Sequence, residues 1–239
     1  MNNNSQLNRS LGAAFLAVFL AWSSLVSADH DTDGQYGDSH TFDSLVPVED
    51  SAMAKAYIDP HADFSVFKRV AILDPFVAFR SNWQRDQNRS RSRNITANDM
   101  ERIKTDVAAL FKQVFTERLE ADDGYEVVDV AGDDVLLIRP AIIDLDITAP
   151  DTRDAGRNRT FTASAGAATL IMEVFDSMSG DIIGRAADRQ VVRQAGGRVT
   201  WSNSVTNQAE ARRMFGRWAD RFRAFLDMHY KAGVPGEAE

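Results

Sequence analysis

Two aspartates near the end of a long predicted strand are the residues with the clearest potential for acid–base chemistry. Asp144 and Asp146 are two positions apart, which places both carboxyl groups on one side of a strand, about 6.5 Å apart. A carboxylate pair at this spacing can transfer protons or hold a divalent cation. More often such a pair meets arginines of the next strand, and Arg185 and Arg189 are the candidates.

A group of arginines falls in two predicted loops that leave the sheet at the same end. Its members are Arg153, Arg157, Arg159, Arg193 and Arg198. A guanidinium binds a carboxylate or phosphate through two parallel hydrogen bonds, so the group predicts a site for an anion or an acidic partner. The alternative is that these arginines pair with Asp151, Asp154 and Asp188, or point into water.

The sequence lacks the common signatures of catalysis. It contains no GxSxG, HExxH, GxGxxG or Walker A motif. It also contains no Cys, which excludes a cysteine nucleophile, thiolate-bound zinc, iron–sulfur clusters and disulfides. We therefore expect no metal centre, no cofactor and no lipid anchor on an N-terminal cysteine, and these features point away from an enzyme.

The first 28 residues have the features of a secretory signal. One arginine, Arg9, precedes an uncharged apolar run at residues 11–26, and Val26 and Ala28 occupy the −3 and −1 positions of a cleavage site. A spanning helix needs about 20 apolar residues, which is longer than this run. We therefore expect cleavage after Ala28 rather than the alternative, an uncleaved membrane anchor.

The segment after the signal, residues 29–50, is acidic and poor in apolar residues, which predicts a flexible N-terminus. His30 and His40 stand among aspartates there and could hold a divalent cation loosely. We favour a solvated acidic tail, because no fixed ligand geometry follows from the sequence. The net charge of −8 also disfavours nucleic acid as a partner.

Two long amphipathic helices are predicted by apolar residues that recur at steps of three and four. The first follows Thr96 and Asp99, a pair that resembles a capping box. Its apolar stripe comprises Met100, Ile103, Val107, Leu110, Phe111, Val114, Phe115 and Leu119. The stripe of the second helix, which ends before Gly233, comprises Ala211, Met214, Phe215, Trp218, Phe222, Phe225 and Leu226.

The predicted strands lie on both sides of the first helix. Pro75 interrupts an apolar run that begins near Val70, because proline cannot donate a hydrogen bond to a ladder. Residues 80–93 are polar and rich in arginine, so we predict a loop. After the helix come a short strand, a long strand at residues 135–148, and a hairpin turning at residues 177–181.

These elements predict a single α+β domain at residues 51–231, followed by a frayed tail at 232–239. We expect one mixed, mostly antiparallel sheet of about four to five strands with both long helices on one face. The first strand, the first helix and the second strand should form a parallel crossover. The loop at 80–95 is then expected at one end of the sheet with the turns at Gly132 and Gly180. The loops carrying the arginines are expected at the other end.

Several short motifs resemble those of the bacterial domain of unknown function 3313 family. They are YIDP at 57–60, NWQRD at 82–86, RPAIID at 139–144, APDT at 149–152 with AGR at 155–157, and NSVTN at 203–207. Members of that family are described as lipoproteins of the cell envelope without an assigned activity. The resemblance implies a Gram-negative envelope location and no catalytic residue. The motif positions of interest are Arg139, Asp144, Asp151, Arg157 and Asn203.

The chain departs from that family's lipoprotein description because it has no Cys, so the resemblance implies a soluble periplasmic protein. We expect a non-enzymatic module that binds an envelope protein or an anionic envelope component. The alternative is a hydrolase-like enzyme that uses Asp144 and Asp146 with loop arginines. A deep pocket converging on Asp144, Asp146 and Arg157 would favour the enzyme.

Overall fold

The computed structural model of the protein describes residues 44–89, 94–148, 162–191 and 204–232. Eight strands form one mixed sheet in the order β1-β2-β8-β7-β6-β3-β5, with β4 also paired to β6. The strands are β1 (Val46–Pro47), β2 (Lys55–Ile58), β3 (Arg69–Ile72), β4 (Phe76–Phe79), β5 (Glu126–Val128), β6 (Val135–Thr148), β7 (Thr162–Asp176) and β8 (Ile182–Val191). The helices are α1 (Trp83–Arg89), α2 (Ala97–Glu120) and α3 (Ser204–Ala232), with a 3-10 turn at Phe64–Val66.

The α+β class and the mixed sheet are confirmed, but the prediction of four to five strands is wrong. Pro75 divides the first predicted strand into β3 and β4, and both run parallel to β6. The other additions, β1 and β2, have two and four residues, too few for an alternating pattern to be visible in the sequence. The sheet thus begins a few residues before residue 51.

The prediction of a loop throughout residues 80–93 is wrong, because α1 occupies Trp83–Arg89. Its sequence is polar apart from Trp83, so it has no apolar stripe to reveal it. The indole of Trp83 is only 1% exposed, stacks on Phe79 and donates from Nε1 to the carbonyl of Ile147 over 2.7 Å. Tertiary contacts such as the burial of Trp83 and the hydrogen bond from Gln84 to the carbonyl of Ile95, and not an apolar stripe, therefore stabilise the helix.

The crossover is confirmed, since β3 and β5 pair in parallel and α2 connects them in the chain. The expected position of the loop after the first strand is wrong. Because β4 runs parallel to β6 and Phe79 is opposite Leu145, β4 finishes where β6 finishes. The chain therefore leaves β4 at the opposite end of the sheet from the turns at Gly132 and Gly180. Helix α2 then runs back toward the end where β5 begins.

Both predicted long helices are present. Thr96 and Asp99 form the capping box at the start of α2, where each side chain accepts the backbone N–H of the other residue. The two helices pack together, with the rings of Phe111 and Phe215 in an edge-to-face contact. Their apolar stripes share one hydrophobic core with Leu136, Ile138 and Ile142 of β6. No helix in the described part of the chain is both long and apolar enough to cross a membrane.

Candidate functional site

Arg80 is the first residue after β4 and joins two elements at the end of the sheet. Its backbone N–H donates to the carbonyl of Leu145 in β6. Its guanidinium lies 2.8 Å from Asp86 of α1 and 2.9 Å from Asp146 of β6. Hydrogen bonds to these two carboxylates raise the pKa of Arg80, and the bond from Arg80 lowers the pKa of Asp86.

Two further arginines of α1 surround the same carboxylate at longer distances. Arg85 Nε is 3.6 Å from Asp86, and Arg89 NH1 is 3.8 Å from it. Their side chains are 61% and 71% exposed, so water screens both contacts. Three guanidiniums thus share Asp86. We call the surface formed by Arg80, Arg85, Arg89 and Arg189 the arginine end.

The candidate carboxylate pair does not have the geometry of a regular strand. Asp144 has a positive φ of 50°, and the register of β6 against β7 shifts between Ile143 and Asp146. Arg189 NH1 lies 4.0 Å from Asp144, whereas Asp146 is bound by Arg80. Each carboxylate therefore faces its own arginine. Of the two expected partners, Arg189 is near Asp144 and Arg185 lies elsewhere.

Arg185 and the motif residue Arg139 lie on either side of a third strand, where both meet Glu173. The register places Arg139 opposite Glu173 and Glu173 opposite Arg185. Arg139 Nε is 2.7 Å from one carboxylate oxygen, Arg185 NH2 is 3.1 Å from the other, and Arg139 also lies over the ring of Phe175. Glu173 is only 8% exposed. This row across three strands has the character of a structural cluster.

The sequence did not single out the buried polar group beneath α3. Asp188 of β8 is 8% exposed and accepts hydrogen bonds from Trp218 Nε1, Arg221 NH1 and the backbone N–H of Ala54. The sequence offers Asp188 as an alternative partner of the loop arginines, and within the described residues Trp218 and Arg221 of α3 bind it. An acid in a strand position facing a helix could have been found only with the strand register known.

The predicted arginine group and three of the five motif positions, Arg157 being in both sets, lie outside the described residues. These are Arg153, Arg157, Arg159, Arg193, Arg198, Asp151 and Asn203. The strand ends that lead to them are described. Thr148 is opposite Thr162, and Val191 is opposite Ala167. The chain thus enters residues 149–161 and 192–203 from the same end of the sheet that carries Arg80.

A depression of about 500 Å³ that is largely open to solvent lies beside the arginine end, between β4, α1 and α2. Its lining combines apolar side chains with cations: Phe79, Trp83, Met100, Arg80, Arg85 and Lys104. Neither Asp144 nor Asp146 lines this depression, so it is not the convergent pocket that would favour a hydrolase. Among the described residues, no group of three or more His, Asp or Glu side chains is placed to hold a metal ion.

Comparisons with known proteins add a family match. The model of a family described as proteins of unknown function, DUF3313, matches residues 32–222. No curated protein matches the chain.

Solved structures similar to this chain include the PelC dodecamer from Paraburkholderia phytofirmans, at 8% identity and a TM-score of 0.38, covering 70% of this chain and 96% of that chain. The protein CT253 from Chlamydia trachomatis is 11% identical with a TM-score of 0.36, covering 66% of this chain and 98% of that one. The protein XCC0632 from Xanthomonas campestris is 11% identical with a TM-score of 0.36, covering 73% and 91%.

Proposed function

The chain belongs to the DUF3313 family of proteins of unknown function, and from this premise we propose that it is a non-enzymatic binding module of the bacterial cell envelope. The proposed binding surface is the arginine end together with the loop arginines. Its proposed partner is an envelope protein or an envelope component that carries negative charge.

The observation that carries the proposal is where the strands end. Because β4 and β6 are parallel, Arg80 and the two arginines of α1 lie at the end from which residues 149–161 and 192–203 depart. Arg157 and the other loop arginines are residues of these two segments. Guanidiniums gathered at one end of an acidic protein favour capture of carboxylate or phosphate groups.

The described carboxylates support binding rather than hydrolysis. Asp146 is engaged by Arg80, and Asp144 lies 4.0 Å from Arg189, so each aspartate has an arginine beside it. A general acid usually needs a raised pKa and a nearby nucleophile or water site. The sequence motifs supply no such nucleophile, and neither aspartate lines the depression between β4, α1 and α2.

The proposal includes an arrangement of the sheet in which both long helices cover one face. In β6, alternate residues such as Leu136 and Ile138 belong to the same core as the helices. The intervening Arg139 faces away from that core toward Glu173. The face with the helices would stabilise the fold, and the end of the sheet would remain available for binding.

We also propose export to the periplasm with cleavage after Ala28. The support is the order of features in the first 28 residues. Intact-mass measurement of the protein purified from the periplasmic fraction should give an N-terminus at Asp29. A membrane-bound chain that retains residues 1–28 would contradict export in this form.

Crosslinked pull-down from intact periplasm tests the binding function. We expect Arg157→Lys to keep the fold but to weaken capture, because lysine cannot form the bidentate contact. Lys112→Ala, on the middle of α2 and remote from the arginine end, is the control and should capture normally. If Arg157→Lys and Arg157→Ala both capture as well as the unmodified protein, with unchanged melting, the loop arginines are not the binding surface.

A further inference from the structure

Strand β4 has one edge that no described strand pairs with. Within the described part of the chain its single strand neighbour is β6. The N–H of Arg80, directly after β4, donates to Leu145 of β6, and alternate residues of a strand direct their backbone groups to opposite edges. The N–H and C=O groups of Val77 and Phe79 therefore point away from β6. No hydrogen bond from another described residue reaches these groups.

The other two edge strands of the sheet are protected. In β5 the outward N–H belongs to Val127 and donates to the carboxylate of Glu120 over 3.3 Å. In β1 the N–H of Val48, the residue after the strand, donates to Ala56 of β2, so Pro47 occupies the outward position and has no N–H. Proline and charged side chains are common devices against pairing at an edge. Because β4 has neither device at its outward positions, its edge is suited to accept another strand.

Solvent reaches this side of β4 through the depression between β4, α1 and α2. The side chains of Ala78 and Phe79 lie on opposite faces of the sheet, and both residues line the depression, so it meets the strand along its edge. Strand addition takes its affinity from main-chain hydrogen bonds and does not require a deep apolar pocket. Phe76, at the start of the strand, is about half exposed and offers apolar surface to a side chain of an added strand.

The two ends of this edge carry opposite charges. Asp74, just before β4, and Asp129, just after β5, have almost fully exposed side chains and long contacts to Lys112, at 3.4 and 3.9 Å. At the other end Arg85 is mostly exposed and lies 3.6 Å from Asp86. An extended segment with a basic residue at the first end and an acidic residue at the second therefore complements the charges along the edge.

We propose that the edge of β4 binds an extended segment of a partner protein by strand addition. The segment has apolar side chains at alternate positions, a basic residue near Asp74 and an acidic residue near Arg85. Its backbone pairs with the N–H and C=O groups of Val77 and Phe79. The inference rests on the proposed function, since it takes the partner to be an envelope protein that binds beside the arginine end.

Short synthetic peptides test the proposal on the full chain. The probes are fluorescently labelled KVTVTVE and its reversed sequence EVTVTVK, which between them allow either direction of the added strand. We expect saturable binding of at least one of them by fluorescence anisotropy. At saturation the backbone amides of Val77 and Phe79 should exchange about tenfold more slowly, because each becomes hydrogen-bonded. Amide exchange followed by nuclear magnetic resonance measures this directly.

N-methylated peptides separate strand addition from other kinds of contact. Two copies of the bound peptide would carry N-methyl groups on one or the other set of alternate residues. Because only one edge of an added strand faces β4, the copy methylated on that edge should not bind, and the other copy should bind like the parent peptide.

An exchange of charges tests the complementarity of the two ends. Asp74→Lys should weaken binding of the peptide by about threefold, as expected for one exposed ion pair. A peptide with glutamate in place of its lysine should bind Asp74→Lys as well as the parent peptide binds the unmodified protein. Asp181→Lys, at an exposed position in the turn between β7 and β8, is the matched control and should bind the parent peptide normally.

The inference is overturned if neither peptide binds saturably, if Val77 and Phe79 keep their exchange rates, or if the two methylated copies bind alike. Protection of these amides that increases with protein concentration in the absence of peptide would assign the edge to a second copy, and would also overturn it. Capture that still depends on Arg157 while no peptide binds removes only the edge site. Capture that is independent of Arg157 removes the proposed function itself.

Discussion

Arg80, the first residue after β4, donates from Nε to the carboxylate of Asp146 in β6 over 2.9 Å. The same guanidinium holds Asp86, so one side chain ties the end of the sheet to α1. This relationship positions the arginines of α1 at the end of the sheet where β6 and β8 finish.

Replacing Arg80 should loosen α1 before it affects the rest of the fold. The helix has only seven residues, so it depends on its tertiary contacts. We expect faster amide hydrogen exchange in residues 83–89 of Arg80→Gln, and unchanged exchange in the centre of α2. Exchange measured by mass spectrometry would contradict this role if the α1 peptide kept its protection.

The stability of the protein should be sensitive to truncation of the buried aromatic side chains on the two long helices. Phe111 and Phe222 are buried, and we expect Phe111→Ala or Phe222→Ala to lower the free energy of unfolding by about 3–5 kcal/mol. Lys112→Ala, at a partly exposed position next to Phe111, should change it by no more than about 0.5 kcal/mol. Urea titrations compare the three variants, and equal midpoints would show that the assignment of the stripes is wrong.

Glu173 should matter more than an acid on the surface. It is the carboxylate that Arg139 and Arg185 share, and all three side chains are largely buried. Removing one partner from such a cluster costs about 3 kcal/mol, so Glu173→Gln should lower the unfolding free energy by about that amount. Glu126→Gln, at an exposed position on β5, is the matched control. A Glu173→Gln variant as stable as the control would exclude a structural role for the cluster.

The ion pair between Arg69 and Asp134 should make stability dependent on acid pH. Hydrogen bonding by Arg69 lowers the pKa of Asp134 from its ordinary value of 3.8. A carboxyl whose pKa is lower in the folded state stabilises the protein above its unfolded pKa, and this contribution disappears as pH falls through the folded pKa.

The melting temperature of the unmodified protein should therefore exceed that of Asp134→Asn by a constant amount above about pH 5. The difference should shrink as the pH falls below 3.8. Asp129→Asn, whose side chain is almost fully exposed, should show a much smaller difference. Thermal melts from pH 7 to pH 2.5 measure this dependence, and a difference between the unmodified protein and Asp134→Asn that does not change with pH would refute it.

The elements that repeat a strong pattern could be predicted from the sequence. The stripes of α2 and α3, the box formed by Thr96 and Asp99, and the hairpin between β7 and β8 all have local signals. Elements held by a few distant contacts could not be predicted. The helix α1 depends on the burial of Trp83. Strand β2 depends on pairing with β8, which is distant in sequence, and β1 pairs with β2.

The candidate site was harder to predict because it depends on strand direction and register. The sequence analysis predicts that the chain after the first strand lies at the wrong end of the sheet, because the sequence does not show that β4 pairs with the second half of β6. The positive φ of Asp144 also has no local signal, so the regular spacing of Asp144 and Asp146 was an incorrect guide. The meeting of Arg139 with Glu173 became visible only through the register.

Photocrosslinking in intact cells tests the central claim most directly, because it reports which end of the molecule contacts a partner. A photoreactive amino acid would replace exposed Arg89 at the arginine end or exposed Lys68 at the opposite end. We predict an adduct of increased mass from position 89, which decreases when Arg157→Ala is added, and none from position 68. Adducts from position 68 alone, or equal adducts from both ends, would contradict binding at the arginine end.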